Sequence, residues 1–194
     1  MTRAILAYGH SILQQPCEDI DRHYPDLDKL IPDMWDTMER ANGCGLAAPQ
    51  IGLPIRLFIV DSKTTFEYLD EEERKHYYSA EDEGIRETFI NARITERSTE
   101  EWIDEEGCLS IPGVLQPVQR PWSVTVSYYN AEFELHTKIF SGLTARMIQH
   151  EYDHTEGVLF LDYLNPLKRK LLEGKLKKVQ KGQIYSRYPM RFVR

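Results

Sequence analysis

The spacing of apolar and polar positions changes period several times along the chain, and each change marks an element. From 26 to 42, Leu27, Leu30, Ile31, Met34, Met38 and Ala41 recur at spacings of three and four, one apolar stripe on a helix. Pro25 before it and Asn42-Gly43 after it suit a helix start and stop. Residues 55–60, Ile-Arg-Leu-Phe-Ile-Val, predict a buried strand. Residues 61–87 hold ten acids against four bases and few aliphatics. They read as an acidic surface insertion or long loop, tacked down by Phe66, Tyr68, Tyr77 and Tyr78. Residues 88–95 and 98–103 predict two short strands. Residues 122–129 and 132–140 alternate in the strand sense, with Asn130-Ala131 between them, which predicts a hairpin. A second helix is expected at 143–155, after Gly142. A third is expected at 165–181, with Leu164, Leu167, Leu171, Leu172, Leu176 and Val179 on one side. Gly174 inside it costs about 1 kcal/mol relative to alanine, so packing must hold that turn. Strands and helices do not alternate regularly, which favours α+β over a doubly wound sheet.

Composition narrows the class. At 194 residues, 41% hydrophobic and 28% charged, the chain is the size of one domain, spanning 1–194, with a core that needs no disulfides. It has no run of about 18 apolar residues, so no membrane span is expected, and its N-terminal apolar stretch is too short for a signal peptide. Cys17, Cys44 and Cys108 are few and odd in number, which points to a reducing, cytoplasmic setting. The net charge of −7 hides an asymmetry: residues 166–194 carry ten Lys/Arg and one acid, Glu173, for +9, while the preceding 165 residues carry −16. The acidic body repels nucleic acid, whereas the basic end could touch it, without sequence-specific reading. Trp35, Trp102 and Trp122 are assigned to the core rather than to stacking on bases.

The strongest chemical signal is His150-Glu151-Tyr152-Asp153-His154. On a helix, i and i+4 share a face, so both histidines can reach one metal ion, with Glu151 placed as a general base. Apolar Leu143, Ala145, Met147 and Ile148 would bury this helix, and buried histidines need partners. A catalytic site needs a third protein ligand. Downstream, position 160 is Phe, and Glu173 sits among lysines and arginines as a solvated residue. Cys108, in Glu106-Gly107-Cys108-Leu109-Ser110, is the upstream candidate, since a thiolate suits zinc or ferrous iron. The alternative for Cys108 is a buried, inert thiol. Gly43-Cys44-Gly45-Leu46-Ala47-Ala48-Pro49-Gln50 leaves a bare backbone strip for substrate, or is simply a tight loop; Gln50 offers a side-chain donor to an oxyanion.

The ordered strings GCGLAAPQ at 43–50, EGCLS at 106–110 and HEYDH at 150–154 resemble the peptide deformylase family over most of the chain. That resemblance implies small antiparallel or mixed sheets packed around a central helix that carries 150–154, plus a C-terminal helix. It implies removal of the formyl group from the N-terminal formylmethionine of new polypeptides, with release of formate. Cys108, His150 and His154 match the metal ligands, Glu151 the acid/base, and Gln50 with the Leu109 N–H the oxyanion donors. Gly45 matches a backbone contact to substrate, Glu106 and Arg120 an ion pair, and Cys44, Leu143 and Met147 the methionine pocket. The implied metal is ferrous iron (Fe2+), with zinc, nickel or cobalt accommodated, and the implied chemistry is attack of a metal-bound water with Glu151 taking its proton. The basic C-terminal helix implies a ribosome contact. Cys44 and Leu115 depart from the family pattern; Leu115 stands where many members carry an arginine that grips the peptide. A zinc endopeptidase and a non-catalytic ribosome-associated protein are the competing classes. The first lacks a good downstream ligand, and the second would require four protein ligands.

Overall fold

The computed structural model describes residues 1–193; Arg194, the last basic residue counted above, lies outside them. The chain begins with β1 (Ile5–Leu6) and α1 (Leu27–Arg40), which buries the expected Leu27, Leu30, Met34 and Met38. It continues through β2 (Gly45–Ala47) and β3 (Leu57–Asp61). The 61–87 insertion is then helical rather than a long loop: α2 (Ser62–Tyr68) and α3 (Glu71–Tyr77) follow one another. Each is capped locally. The Asp61 carboxylate accepts from Thr64 N at 2.9 Å; Asp70 accepts from Glu73 N at 2.9 Å, and Glu73 accepts from Asp70 N at 3.0 Å. Tyr78 is buried, donates to the Ser62 carbonyl at 2.9 Å and meets Phe66 edge-on; Tyr68 is exposed and tacks nothing.

The two strands expected at 88–95 and 98–103 are β4 (Arg86–Arg97), longer than expected at 12 residues, and β5 (Glu101–Glu106), which begins three residues later than expected. β5 pairs with β6 (Gln116–Pro121), a strand the pattern did not announce. β7 (Ser123–Tyr129) and β8 (Leu135–Ser141) form the expected hairpin. Its connection spans residues 130–134 rather than two residues, because Asn130 Oδ1 accepts from the N–H groups of Glu132 and Glu134 and Phe133 adopts φ +60°. α4 (Gly142–Thr155), α5 (Pro166–Gln180) and β9 (Met190–Arg191) complete the chain.

The elements make an α+β fold with three small sheets. The main sheet runs β2-β3-β4-β7-β8, all antiparallel; β5-β6 is an antiparallel pair and β1-β9 a parallel one. β3 is buried on both faces, which explains its unbroken apolar run. Leu57 and Ile59 pack with Met34 and Met38 of α1, while Phe58 and Val60 pack with Ala145 and Ile148 of α4. The main sheet is thus sandwiched between α1 and α4, and α4 is the central helix. A third cluster joins Ile111, Val114 and Val118 to Phe160, Leu161 and Leu176, and supports the loop that carries Cys108.

Two expectations fail at the surface. On α5 only Leu176 and Val179 are buried; Leu167 and Leu171 are 70% and 77% exposed, so the leucines do not form one docked stripe. The three tryptophans are half-buried rather than core: Arg86 stacks on Trp35 at 4.0 Å, and Trp102 meets Trp122 edge-on at 5.2 Å. No helix among the described residues is long and apolar enough to cross a membrane.

Candidate metal centre and substrate cavity

α4 can begin only with a residue that tolerates a positive φ and close contact. Gly142 has φ +56°, and a Cβ there would run into the Tyr77 carbonyl at the end of α3. From that start, the helical period carries His150 and His154 to one face, where they meet Cys108 from the loop after β5. The three ligand atoms lie within 4.8 Å of one another, and Cys108 Sγ is 3.2 Å from His154 Nε2. Among the described residues this is the one such group. Burial, reinforced by the neighbouring Arg120 charge, pushes His154 well below the usual histidine range, so its imidazole is neutral and free to ligate. One thiol and two imidazoles, converging and largely buried, fit a divalent metal of the zinc or ferrous type.

Glu106 is the bracing point beneath this group. It is buried and receives Arg120 through two bonds, Nε at 2.6 Å and Nη2 at 2.9 Å. Arg146 Nη1 reaches it at 2.7 Å and His150 Nδ1 at 3.0 Å. Burial alone would raise the Glu106 pKa, yet Arg120 and His150 hold it well below the ordinary carboxylate range. A carboxylate can only accept, so His150 Nδ1 carries the proton and its Nε2 is left for a metal. Arg120 also bonds Asp153 at 2.8 Å, and Tyr163 donates to Asp153 at 3.0 Å.

Glu151 lies beside the ligands and is buried; its Oε2 has no partner among the described residues. Burial, with help from the Glu106 and Asp153 charges, raises its pKa to about 7, against the opposing pull of His150 and Arg120. Gly45 underlies it: a Cβ there would sit 2.7 Å from Glu151 Cγ and Cδ, so glycine makes room for the carboxylate. Gln50 Oε1 accepts from Ala47 N at 2.8 Å, which turns Nε2 toward Cys108 Sγ at 3.5 Å and Ser110 Oγ at 3.3 Å. The Leu109 carbonyl accepts from Tyr188 Oη at 2.7 Å, while its N–H has no protein acceptor among the described residues. These groups open on a cavity of about 800 Å³ walled by Cys44, Gly45, Leu143 and Met147 on one side and Leu115 and residues 185–188 on the other.

The polypeptide deformylase family model matches residues 2–170. A peptide deformylase of Christiangramia forsetii is 48% identical over 194 residues, 99% of this chain and 96% of that one. One from Flavobacterium johnsoniae is 44% identical over 193 residues, covering 100% and 97%. The crystal structure of peptide deformylase from Ehrlichia chaffeensis superposes with a TM-score of 0.80 at 30% identity, covering 95% of this chain and 100% of that one. This chain belongs to the peptide deformylase family. It is therefore an enzyme, an amidohydrolase, of a metal-dependent family, with the fold its structural relatives share.

Within this deformylase, Cys44, Gly45, Glu106, Cys108, Leu109, Leu115, Leu143, Met147, His150 and Glu151 all reach the cavity. Gln50 and His154 stand directly behind Cys108, and Arg120 lies behind Glu106. Glu173 is exposed on α5 and takes no part in the metal group. Sequence reasoning missed Arg146, whose signal was available: it is a charge four residues before His150, in line with both histidines on a largely buried helix. It also missed Tyr188, for which no local signal exists.

Proposed function

We propose that this deformylase removes the formyl group from the N-terminal formylmethionine of newly made polypeptides, releasing formate. The observation that carries the reading is the Cys108–His150–His154 group with the buried Glu151 beside it at the floor of an open cavity. Those three side chains would hold one divalent metal; the donor set accepts zinc, iron, nickel or cobalt, and the family resemblance points to ferrous iron. The metal supplies Lewis acidity toward water and toward a carbonyl. Glu151, buried beside the ligand side chains, accepts the proton of the attacking water and later returns it to the leaving amine nitrogen. Gln50 Nε2 and the free Leu109 N–H donate to the oxyanion as it forms, each worth about 10²–10³ in rate. Glu106, held by Arg120 and Arg146, fixes the His150 ring. Leu143, Met147 and Cys44 receive the methionine side chain, and Gly45 offers its backbone to the peptide.

The 194 residues act as one catalytic unit in the cytoplasm, where formylated chains emerge. The exposed Lys168, Lys170, Lys177 and Lys178 of α5 support a ribosome contact, since such a basic face favours an RNA surface. The test of the reaction is formate release from a formyl-Met peptide by anaerobically purified protein loaded with iron, nickel or cobalt, with Glu151→Ala alongside. Release by the wild type, lost in a variant that still binds one metal per chain, is the expected result. No release with any of the metals overturns the reading.

A further inference from the structure

The residues after α5 lie beyond the stretch that the family model matches, yet they do not leave the molecule. Gly182, at φ +67°, turns the chain, and Gln183 N bonds Lys178 O at 2.8 Å. Eight residues later β9 locks in parallel against β1, with Ile5 N on Pro189 O at 3.0 Å and Ala7 N on Arg191 O at 2.9 Å. Tyr8, next after Ala7, donates its N–H to Ser110 O at 2.8 Å, so the anchor reaches the Cys108 loop. Between the two anchors, residues 185–188 form a wall of the same cavity that holds His150 and Glu151. The wall is set, not loose: Ser186 Oγ donates to Tyr188 O at 2.8 Å, and Tyr188 Oη holds the Leu109 carbonyl.

Two arginines line this cavity, and only one is exposed. Arg146 is buried, with Nη1 and Nη2 taken by Glu106 and the carbonyls of Val118 and Trp102, and only its buried Nε lacks a partner among the described residues. Arg187 is exposed and has no hydrogen-bond or ion-pair partner among the described residues. Leu115 lines the same cavity, exposed and without a polar group. We propose that residues 185–188 are the outer wall of the peptide groove and that Arg187 binds main-chain carbonyls of the second and third substrate residues. The inference rests on the deformylase reading of this site. A peptide entering with its first residue at the metal group must run outward past this wall. Its carbonyls are acceptors, and a guanidinium satisfies them with charge-assisted bonds whatever the side chains are. That suits substrates whose sequence after methionine varies freely. The exposed Tyr185 ring beside it offers apolar contact at low entropic cost.

The test compares formyl-methionine amide with formyl-Met-Ala-Ala-Ala amide, which carries neither acidic side chains nor a terminal carboxylate. The wild type is expected to gain affinity on lengthening. Arg187→Ala should lose about tenfold of that gain, in KM rather than kcat, the size of one bond to a charged group. Arg187→Lys should recover part of it, because it keeps the cation but not the fork. Lys63→Ala, an exposed charge on α2 outside the cavity, controls for long-range attraction and should leave the length preference unchanged. An Arg187→Ala enzyme with the wild-type length preference overturns the inference and leaves the deformylase reading standing. So does a loss matched by Lys63→Ala. Failure of the wild type to release formate from either substrate overturns the function and this inference together.

Discussion

Replacing Gly45 by alanine tests whether the position of Glu151 carries the chemistry. Gly45 lies in β2, and a Cβ built there falls 2.7 Å from Glu151 Cγ and Cδ, where ordinary contact is 3.4–4 Å. The carboxylate must therefore retreat by roughly 1 Å, and a shift of that size costs about 10²-fold in rate. Losing the base altogether costs about 10²–10⁴, so Gly45→Ala should approach, without exceeding, the defect of Glu151→Ala. Overpacking of this kind destabilises by about 2 kcal/mol, or a melting temperature lower by ~6 °C for a chain of this size. The assay is kcat and KM for formate release at constant metal content, with thermal melts on the same samples. The fall should appear in kcat, because the methionine pocket around Met147 and Leu143 is untouched. An alanine variant that keeps one metal per chain and works within about threefold of wild type would refute the reasoning, since 10² is the expected cost.

Tyr188→Phe removes the bond to the Leu109 carbonyl while keeping the ring, and should lower kcat about fivefold, with KM held, because one neutral hydrogen bond is worth roughly 1 kcal/mol; steady-state kinetics on the short substrate reads it. Gly174 has open space around its Cα within α5, so Gly174→Ala should stabilise by about 1 kcal/mol and raise the melting temperature by ~2–4 °C without touching activity. Burial raises the Cys17 thiol to about 11, so at pH 8 about one molecule in 1,000 carries its thiolate. Iodoacetamide should leave Cys17 unlabelled in the native protein at that pH, with labelling rising about tenfold per pH unit toward 11, read by peptide mass spectrometry.

How much of this was legible beforehand depended on how local the signal was. The stripe of α1, the alternation of β7 and β8 and the spacing of 150–154 are short-range patterns, and all became the elements they announce. The metal group needed three segments, yet each carried its own distinctive residues. α2 and α3 are too short to show a stripe, but the Asp70…Glu73 capping pair stood in the sequence and could have flagged α3. β6 was hidden by Pro117 and Pro121, which look like loop residues. In a two-stranded sheet both strands are edges, and an edge tolerates proline. Leu167 and Leu171 had the right spacing for a buried stripe and nothing above them to bury it. The cavity wall at 185–188 was illegible for a different reason: its position depends on a two-residue pairing between opposite ends of the chain.

β2 ends the main sheet, and it is three residues long with Gly45 on the cavity floor. An unpaired strand edge is ordinarily a hazard, because any extended chain can join it. Here the edge lines the cavity, which the Cys108 loop and residues 185–188 also line. A loop in the middle of a folded protein enters such a cavity as a doubled chain; a free terminus threads in as a single one. Setting the edge inside the cavity thus sorts chain ends from chain middles by girth, before any chemistry begins, and the same recess keeps the strand from seeding association between copies of the enzyme.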